Sequence, residues 1–372
     1  MDDHKELAKQ VISRKSSEDL RESLDWLKTL LEYRALGKLY DTYIKGIRTA
    51  AEKNEESRIY CNYNLDGTKT GRLSCSSYGA KRSMGVSFHT LPREDKHNIR
   101  SLFPAPEGYA FIAGDYSTME LRVLAHLSRE PGMKEAFRNK EDLHTYTASL
   151  LFAKPKEKIT KHERQIAKSV SFLIVYGGGA FRLAEMTAIS QQRAQKIIDR
   201  YNEVFPHISR FETHVHNFIR KNKYAYSIFN RRRNLLDVDS RDPKVKKQAL
   251  RQGLNFTVQS SASDILCCAF KGLSERLPAG AHLFATVHDS IEIITPLVDV
   301  EEVLTIMYDE MVNTPTLKKD WGLEFDIPFE VDLEVGPSFG VLKGVEMEDG
   351  RPTNTKELLE FVTNHQKSSV ES

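Results

Sequence analysis

Cysteine is scarce, and the four present (Cys61, Cys75, Cys267 and Cys268) form neither a Cys-x-x-Cys pair nor a zinc-like spacing. That excludes a zinc module and leaves free thiols in a reducing compartment. Long apolar runs are missing: none approaches the roughly 18 residues of a membrane span. The start, Met1-Asp2-Asp3-His4, lacks the basic-then-apolar pattern of a secretory leader. A soluble, cytoplasmic protein without a membrane partner is expected. A surplus of one charge is missing too. Lys and Arg number 54 against 52 Asp and Glu, a formal net of +2, so affinity for a polyanion has to come from local clustering.

What is present is an ordinary globular balance. The 372 residues are 40% hydrophobic and 28% charged, enough for two or three subdomains with full cores. Basic residues cluster once: residues 231–251 hold eight Lys or Arg against three Asp, while the last 32 residues hold four bases against six acids. Ser17-Glu18-Asp19 opens a helical pattern with Leu20, Leu24, Leu27 and Leu31, and a second pattern carries Leu36, Leu39, Tyr40 and Tyr43. Short strands follow between Ile59 and Leu91, with turn signals at Asp66-Gly67 and Thr70-Gly71. After Glu107-Gly108 an apolar strand runs from Tyr109 to Asp115, then an amphipathic helix from Met119 to Leu127. Helical signals dominate from Asp142 to about Ser263, broken near Pro155, Gly177, Pro206 and the basic cluster. Two strands, Leu283 to Val287 and Ile291 to Ile294, bracket a tight turn at His288-Asp289-Ser290. The segment after Gly344 reads as a polar, frayed tail.

Three distant stretches suggest one chemistry. Asp115 and Asp289 each end an apolar strand, and two strands of one sheet can bring both acids together. Taken singly, an Asp there is most often a turn former. As a pair, close carboxylates repel and hold cations, and two Mg²⁺ ions between them suit phosphoryl transfer. Arg164, Lys168 and Phe172 lie at successive four-residue steps and share one helix face. Two cations beside an aromatic ring can clamp triphosphate oxygens and stack a base, although such a face is more often solvated. Tyr176-Gly177 can then end the helix with Tyr176 near the same pocket.

These residues resemble a known family. Asp115-Tyr116-Ser117-x-x-Glu120-Leu121-Arg122, Arg164-x₃-Lys168-x₃-Phe172-x₃-Tyr176-Gly177 and His288-Asp289 look like motifs A, B and C of the family A DNA polymerases. Four further stretches fit in the family's order: Leu30-Leu31-Glu32-Tyr33-Arg34, Thr70-Gly71-Arg72-Leu73-Ser74, Asp142-Leu143-His144-Thr145 and Arg251-x₃-Asn255-x₃-Gln259. The resemblance implies an α+β right-hand fold with an antiparallel palm sheet, helical fingers and a truncated helical thumb. Its divisions would be partial thumb helices over 1–56, palm over 57–128 and 248–344, fingers over 129–247 and a tail over 345–372.

Site roles are likewise implied. Asp115, Asp289 and the carbonyl of Tyr116 would hold two Mg²⁺ ions. Arg164, Lys168 and His144 would hold the dNTP, Lys168 also protonating pyrophosphate. Phe172 and Tyr176 would shape the base-pair pocket. Arg72, Arg251, Asn255, Gln259 and His288 would line primer-template DNA. Apart from the resemblance, the basic run Arg231, Arg232 and Arg233 reads as a patch that tracks phosphates, with a solvated basic loop as the alternative. Glu120 beside the ribose would exclude a 2′-hydroxyl, favouring deoxynucleotides. Phe172, without the Tyr hydroxyl of some members, implies poor use of dideoxynucleotides.

The pattern departs at Ser290, where the DNA polymerases of this family have Glu and single-subunit phage RNA polymerases have Ser. The alternatives are an RNA polymerase-like enzyme, which Ser290 favours, and a catalytically silent DNA-binding subunit of a split polymerase, which the short thumb suggests. The short stretch before the palm leads to a further expectation: no proofreading domain in this chain, with thumb and 3′–5′ exonuclease on a separate one. A bacterial or phage-infected cytoplasm is the expected setting.

Overall fold

A computed structural model describes residues 17–54, 57–78, 85–92 and 97–370. The chain divides into two compact units, Met1–Tyr63 with Cys75–Ile99, and Asn64–Ser74 with Arg100–Ser372.

In the first unit the apolar periodicity does yield helix: α1 (Ser17–Leu39), a π turn at Tyr40–Ile44 and α2 (Lys45–Lys53) run on without a break. Of the expected stretch 1–56, residues 1–16, 55 and 56 lie outside the described ones. The leucine spacing does not make a buried stripe here: Leu24, Leu31 and Leu36 are exposed, as are Trp26, Tyr33 and Tyr40. Periodicity specifies the helix; burial depends on what packs against it. Strands β1 (Cys61–Asn64) and β2 (Ser74–Ser77) pair, and Val86, Phe88 and Leu91 are buried beyond them.

The second unit begins its regular structure with β3 (Tyr109–Tyr116), α3 (Met119–Ser128) and α4 (Pro131–Arg138). Five helices follow: α5 (Leu143–Phe152), α6 (Lys161–Val175), α7 (Ala180–Thr187), α8 (Gln191–Val204) and α9 (Pro206–Asn222). The hairpin β4 (Tyr224–Tyr226) and β5 (Arg232–Asn234) precedes a 34-residue helix, α10 (Pro243–Arg276). The chain then forms β6 (His282–Val287), β7 (Ser290–Pro296), α11 (Val300–Tyr308), α12 (Pro315–Trp321), β8 (Val331–Ser338), β9 (Val341–Gly344) and, after a two-residue-strand hairpin, α13 (Thr355–Val370).

Five antiparallel strands lie in the order β6-β7-β3-β8-β9. This bears out the α+β, antiparallel-sheet expectation. β3 is central and buried on both faces, which is why it reads as an almost unbroken apolar run rather than an alternating one. Its Gly114 is required by packing: a Cβ there would sit 2.6 Å from the Met307 methyl of α11. α10, about 50 Å long at 1.5 Å per residue, is the core helix. Its run Ser260-Ser261-Ala262-Ser263 is buried, small side chains letting neighbours come close.

The C-terminal expectation needs correction. Residues 355–370 form a helix, not a frayed tail, and it buries Leu358 and Val362 completely. Its apolar stripe is narrow and diluted by charge, so composition hid it. Gln366 also donates to the carbonyl of Tyr109 at 2.9 Å, tying the helix to β3.

Candidate active site

Asp115 and Asp289 are brought together by the sheet. β3 and β7 pair in the register Asp115↔Ser290, and the Tyr116 amide donates to the Asp289 carbonyl at 3.2 Å. Asp289 sits in the two-residue turn between β6 and β7, where His288 adopts a φ of 61°. A non-glycine residue in the left-handed region stores local strain, a common mark of functional turns. Burial raises the Asp289 pKa; Arg72 opposes the rise, while Glu120 and Asp115 add to it. The two acids therefore feel each other's charge.

A cavity of about 260 Å³ opens beside Asp289 and is lined by Arg72, Glu120, His144, Lys168, Phe172 and Tyr176, with Thr118 and Met119 at its edge. Residues scattered over more than two hundred positions of sequence thus share one wall. Glu120 is its anchor. Only 4% exposed, it accepts from Arg72 at 2.6 Å, Gln259 Nε2 at 3.0 Å and the Tyr176 hydroxyl at 2.9 Å. Three donors satisfy the buried carboxylate, so its burial does not leave a bare charge. Burial and the Glu120 charge push the Tyr176 phenol up to about 12. Arg72 also reaches Asp289 at 3.3 Å.

The helix α6 is built to present its face. Thr160 and Glu163 form a reciprocal capping box at its start. At its end Gly177 takes φ 63°, with Gly177 N–H donating to Ile174 O and Gly178 N–H to Leu173 O, the two bonds of a Schellman cap. The helix stops at Val175, leaving Tyr176 over the cavity. Lys168 is exposed and Phe172 half-buried on the same face, Phe172 with its ring 5.9 Å from that of His144. His144 is buried, and burial lowers its pKa to about 4. At neutral pH it is an uncharged imidazole, and its Nδ1 has no hydrogen-bond partner among the described residues.

Other expected residues are placed differently. Arg164 does not line the cavity; it pairs through two bonds of 2.8 Å with Asp142, the cap of α5. Burial alone would raise the Asp142 pKa, but bonds from Arg164 and Thr145 hold it well below the carboxylate range. The Arg231–Arg233 triplet splits. Arg231 pairs at 2.6 Å with buried Asp264, Arg232 stacks 4.9 Å over the Tyr224 ring, and Arg233 donates to Gln252 at 2.8 Å. Arg251 packs against Gly177, and Asn255 keeps a buried Nδ2 without a partner among the described residues. His288 is exposed at the turn. Asp142, Asp264 and Gln252 were missed as partners because nothing local in the sequence links them to distant arginines. Arg122 of the first motif is buried too, bonded to Ser117 O, Pro328 O and Glu330 and stacked over Phe137.

Among the described residues no three His, Cys, Asp or Glu side chains converge as a ready-made metal cage, and no helix is long and apolar enough to cross a membrane. The Asp115–Asp289 pair nevertheless suits a hard divalent cation: its donors are oxygens, and Asp289 lies in a place where burial and neighbouring acids disfavour its own charge.

Residues 3–341 match the family model described as DNA polymerase family A. The chain belongs to this family. It is 34% identical over 314 residues to DNA polymerase I of Treponema pallidum, covering 84% of this chain and 30% of that protein. It is 32% identical over 322 residues to the thermostable DNA polymerase I of Thermus aquaticus, covering 86% and 37%. The chain thus spans about a third of the length of these relatives. The POL domain of M. smegmatis Pol1, solved in complex with DNA primer-template and dNTP, superposes with a TM-score of 0.76 at 28% identity, over 90% of this chain and 56% of that one. The wall of the cavity beside Asp289 holds Glu120, the Lys168, Phe172 and Tyr176 side chains and Arg72, and Gln259 is bonded to its Glu120.

Proposed function

We propose that this chain performs template-directed DNA synthesis, adding dNTPs to a primer 3′ end on primer-template DNA in a bacterial or phage-infected cytoplasm. The observation that carries the reading is the cavity where Asp289, Lys168, His144, Phe172, Tyr176 and Glu120 meet. We assign 57–128 and 248–344 to the palm, 129–247 to the fingers and 1–56 to a partial thumb.

Asp115, Asp289 and the Tyr116 carbonyl are the groups that would hold two Mg²⁺ ions, which when bound supply charge neutralisation for the attacking hydroxyl and the leaving pyrophosphate. The chain's own residues do the rest. Lys168 meets the triphosphate and donates a proton to the leaving pyrophosphate oxygen as the new ester bond forms. His144, neutral at pH 7, offers a ring N–H rather than a charge. Arg164 exchanges the Asp142 carboxylate for a phosphate oxygen, two acceptors of the same geometry. Phe172 and Tyr176 bound the nascent base pair; the Phe172 ring offers no hydroxyl to replace a missing 3′-OH, so dideoxynucleotides are used poorly. Arg72, Arg251, Asn255, Gln259, His288 and the Arg231–Arg233 triplet face the primer-template.

Ser290 favours a second reading, an RNA polymerase-like enzyme. Glu120 weighs against it. A 2′-hydroxyl brought against this buried, fully bonded acid would displace Tyr176 or lose its own hydration. Primer extension with dNTPs or NTPs, with Mg²⁺ or with chelator, separates the two. Asp115→Asn and Asp289→Asn are expected to lower dNTP extension by about a thousandfold or more, the scale of a lost electrostatic stabiliser, while binding primer-template as the unmodified chain does. Extension at full rate by either variant would refute the metal assignment.

A further inference from the structure

Ser290 stands where the family's DNA polymerases carry an acid, and it is buried. It lies 3.0 Å from the Val287 carbonyl and 2.9 Å from Glu292 Oε1. On the other side of the turn, the Thr286 hydroxyl donates to the Ser290 carbonyl at 2.7 Å. The turn that displays Asp289 is therefore stitched through Ser290.

Glu292 is the unexpected member. Residues 290 and 292 share one face of β7, and Glu292 is 3% exposed opposite Ala113, with Glu334 beyond it on β8. Its Oε2 has no hydrogen-bond partner among the described residues. A hydroxyl has one proton and here faces two acceptors. One arrangement serves both contacts: the Glu292 carboxyl donates through Oε1 to Ser290 Oγ and Ser290 donates to Val287 O, with Glu292 Oε2 left without a partner among the described residues. A carboxylic acid acting as a donor needs burial and nearby negative charge. Burial, with Asp115 and Glu334 adding and Ser290 and Arg100 opposing, raises Glu292 to about 7.

We infer that Glu292 is a positioning residue of this site: acting through Ser290, it holds the turn that presents Asp289, and so replaces from two residues along the strand the acid absent at position 290. This rests on the polymerase reading above. The test is steady-state primer extension, with hydrogen exchange at the amides of 288–290 measured on the same proteins. Ser290→Ala and Glu292→Val should each lower kcat about tenfold with KM for dNTP within twofold, and should speed exchange at those amides. Glu292→Gln, which keeps a donor, should stay within about twofold of the unmodified chain. The double variant Ser290→Ala/Glu292→Val should be no worse than either single one, because both cut the same chain of bonds. Should Glu292→Val not fold, Ser290→Ala and Glu292→Gln carry the test. Additive losses, full activity of Ser290→Ala, or a Glu292→Gln as impaired as Glu292→Val would overturn the inference. Exchange decides it separately from chemistry: no extension by the unmodified chain would sink the polymerase reading, whereas unchanged exchange at 288–290 would sink the positioning role.

Discussion

Glu120 shows how much one residue's meaning depends on its neighbours. In the sequence it is the acid of the first motif; in the fold three donors from three separate stretches of the chain converge on it. The cysteines carry a similar lesson. Cys75 accepts a hydrogen bond from the Cys61 thiol and another from the Phe88 amide at 3.2 Å. The Cys61 bond, opposed by burial, lowers the Cys75 thiol to about 6, while Cys61 itself is pushed up by the same bond. Burial raises Cys267, and Cys268 to about 11. Iodoacetamide at pH 7.5 should therefore alkylate Cys75 first among the four, at a rate that rises through pH 6. Mass-mapped labelling at several pH values reads this directly, and equal rates at all four thiols would contradict it.

At the scale of the element, α6 was legible in advance because each of its features is local. The four-residue spacing of Arg164, Lys168 and Phe172 and the glycines at its end lie in one short stretch of the chain, while its capping pair, Thr160 and Glu163, emerges from the structure. Gly177 is the sharpest point. A Cβ there would meet Arg251 at 2.6 Å, on a backbone at φ 63°. Gly177→Ala should cost about 1–2 kcal/mol of stability and move both Tyr176 and Arg251. The expected result is a lower denaturation midpoint together with slower extension. A variant as stable and as active as the parent would show that the cap is not needed.

For the whole molecule, two measurements probe what holds the second unit together. Leu358→Ala on α13 should lose about 2–5 kcal/mol, seen as a fall in urea midpoint, whereas a frayed tail would give no change. The pH dependence is the other. His144 is lowered from 6.5 to about 4, so its contribution is present above pH 6.5 and lost as pH falls toward 4. Glu292 is raised from 4.5 to about 7, so its contribution is present below pH 4.5 and lost as pH rises through 7. His144→Gln should thus flatten the acid limb of the stability curve and Glu292→Gln the limb approaching neutrality. Parallel curves for all three proteins would refute both shifts.

What the chain alone determined were features carried by near neighbours: the strand before Asp115, the turn at Asp289, the cationic face of α6 and its glycine stop. Motif order was enough for the family and for the mixed helix-and-sheet class. Only the tertiary structure decided which charges pair. Arg164 with Asp142, Arg231 with Asp264, Arg72 and Gln259 with Glu120, and Ser290 with Glu292 arise from packing or register. Most of these partners are far apart in the chain. A buried ion needs a counter-group in space, and local pattern holds no record of which distant segment will supply it. The same is true of burial: leucines at equal spacing are exposed on α1, while a more charged helix, α13, buries Leu358 and Val362 completely.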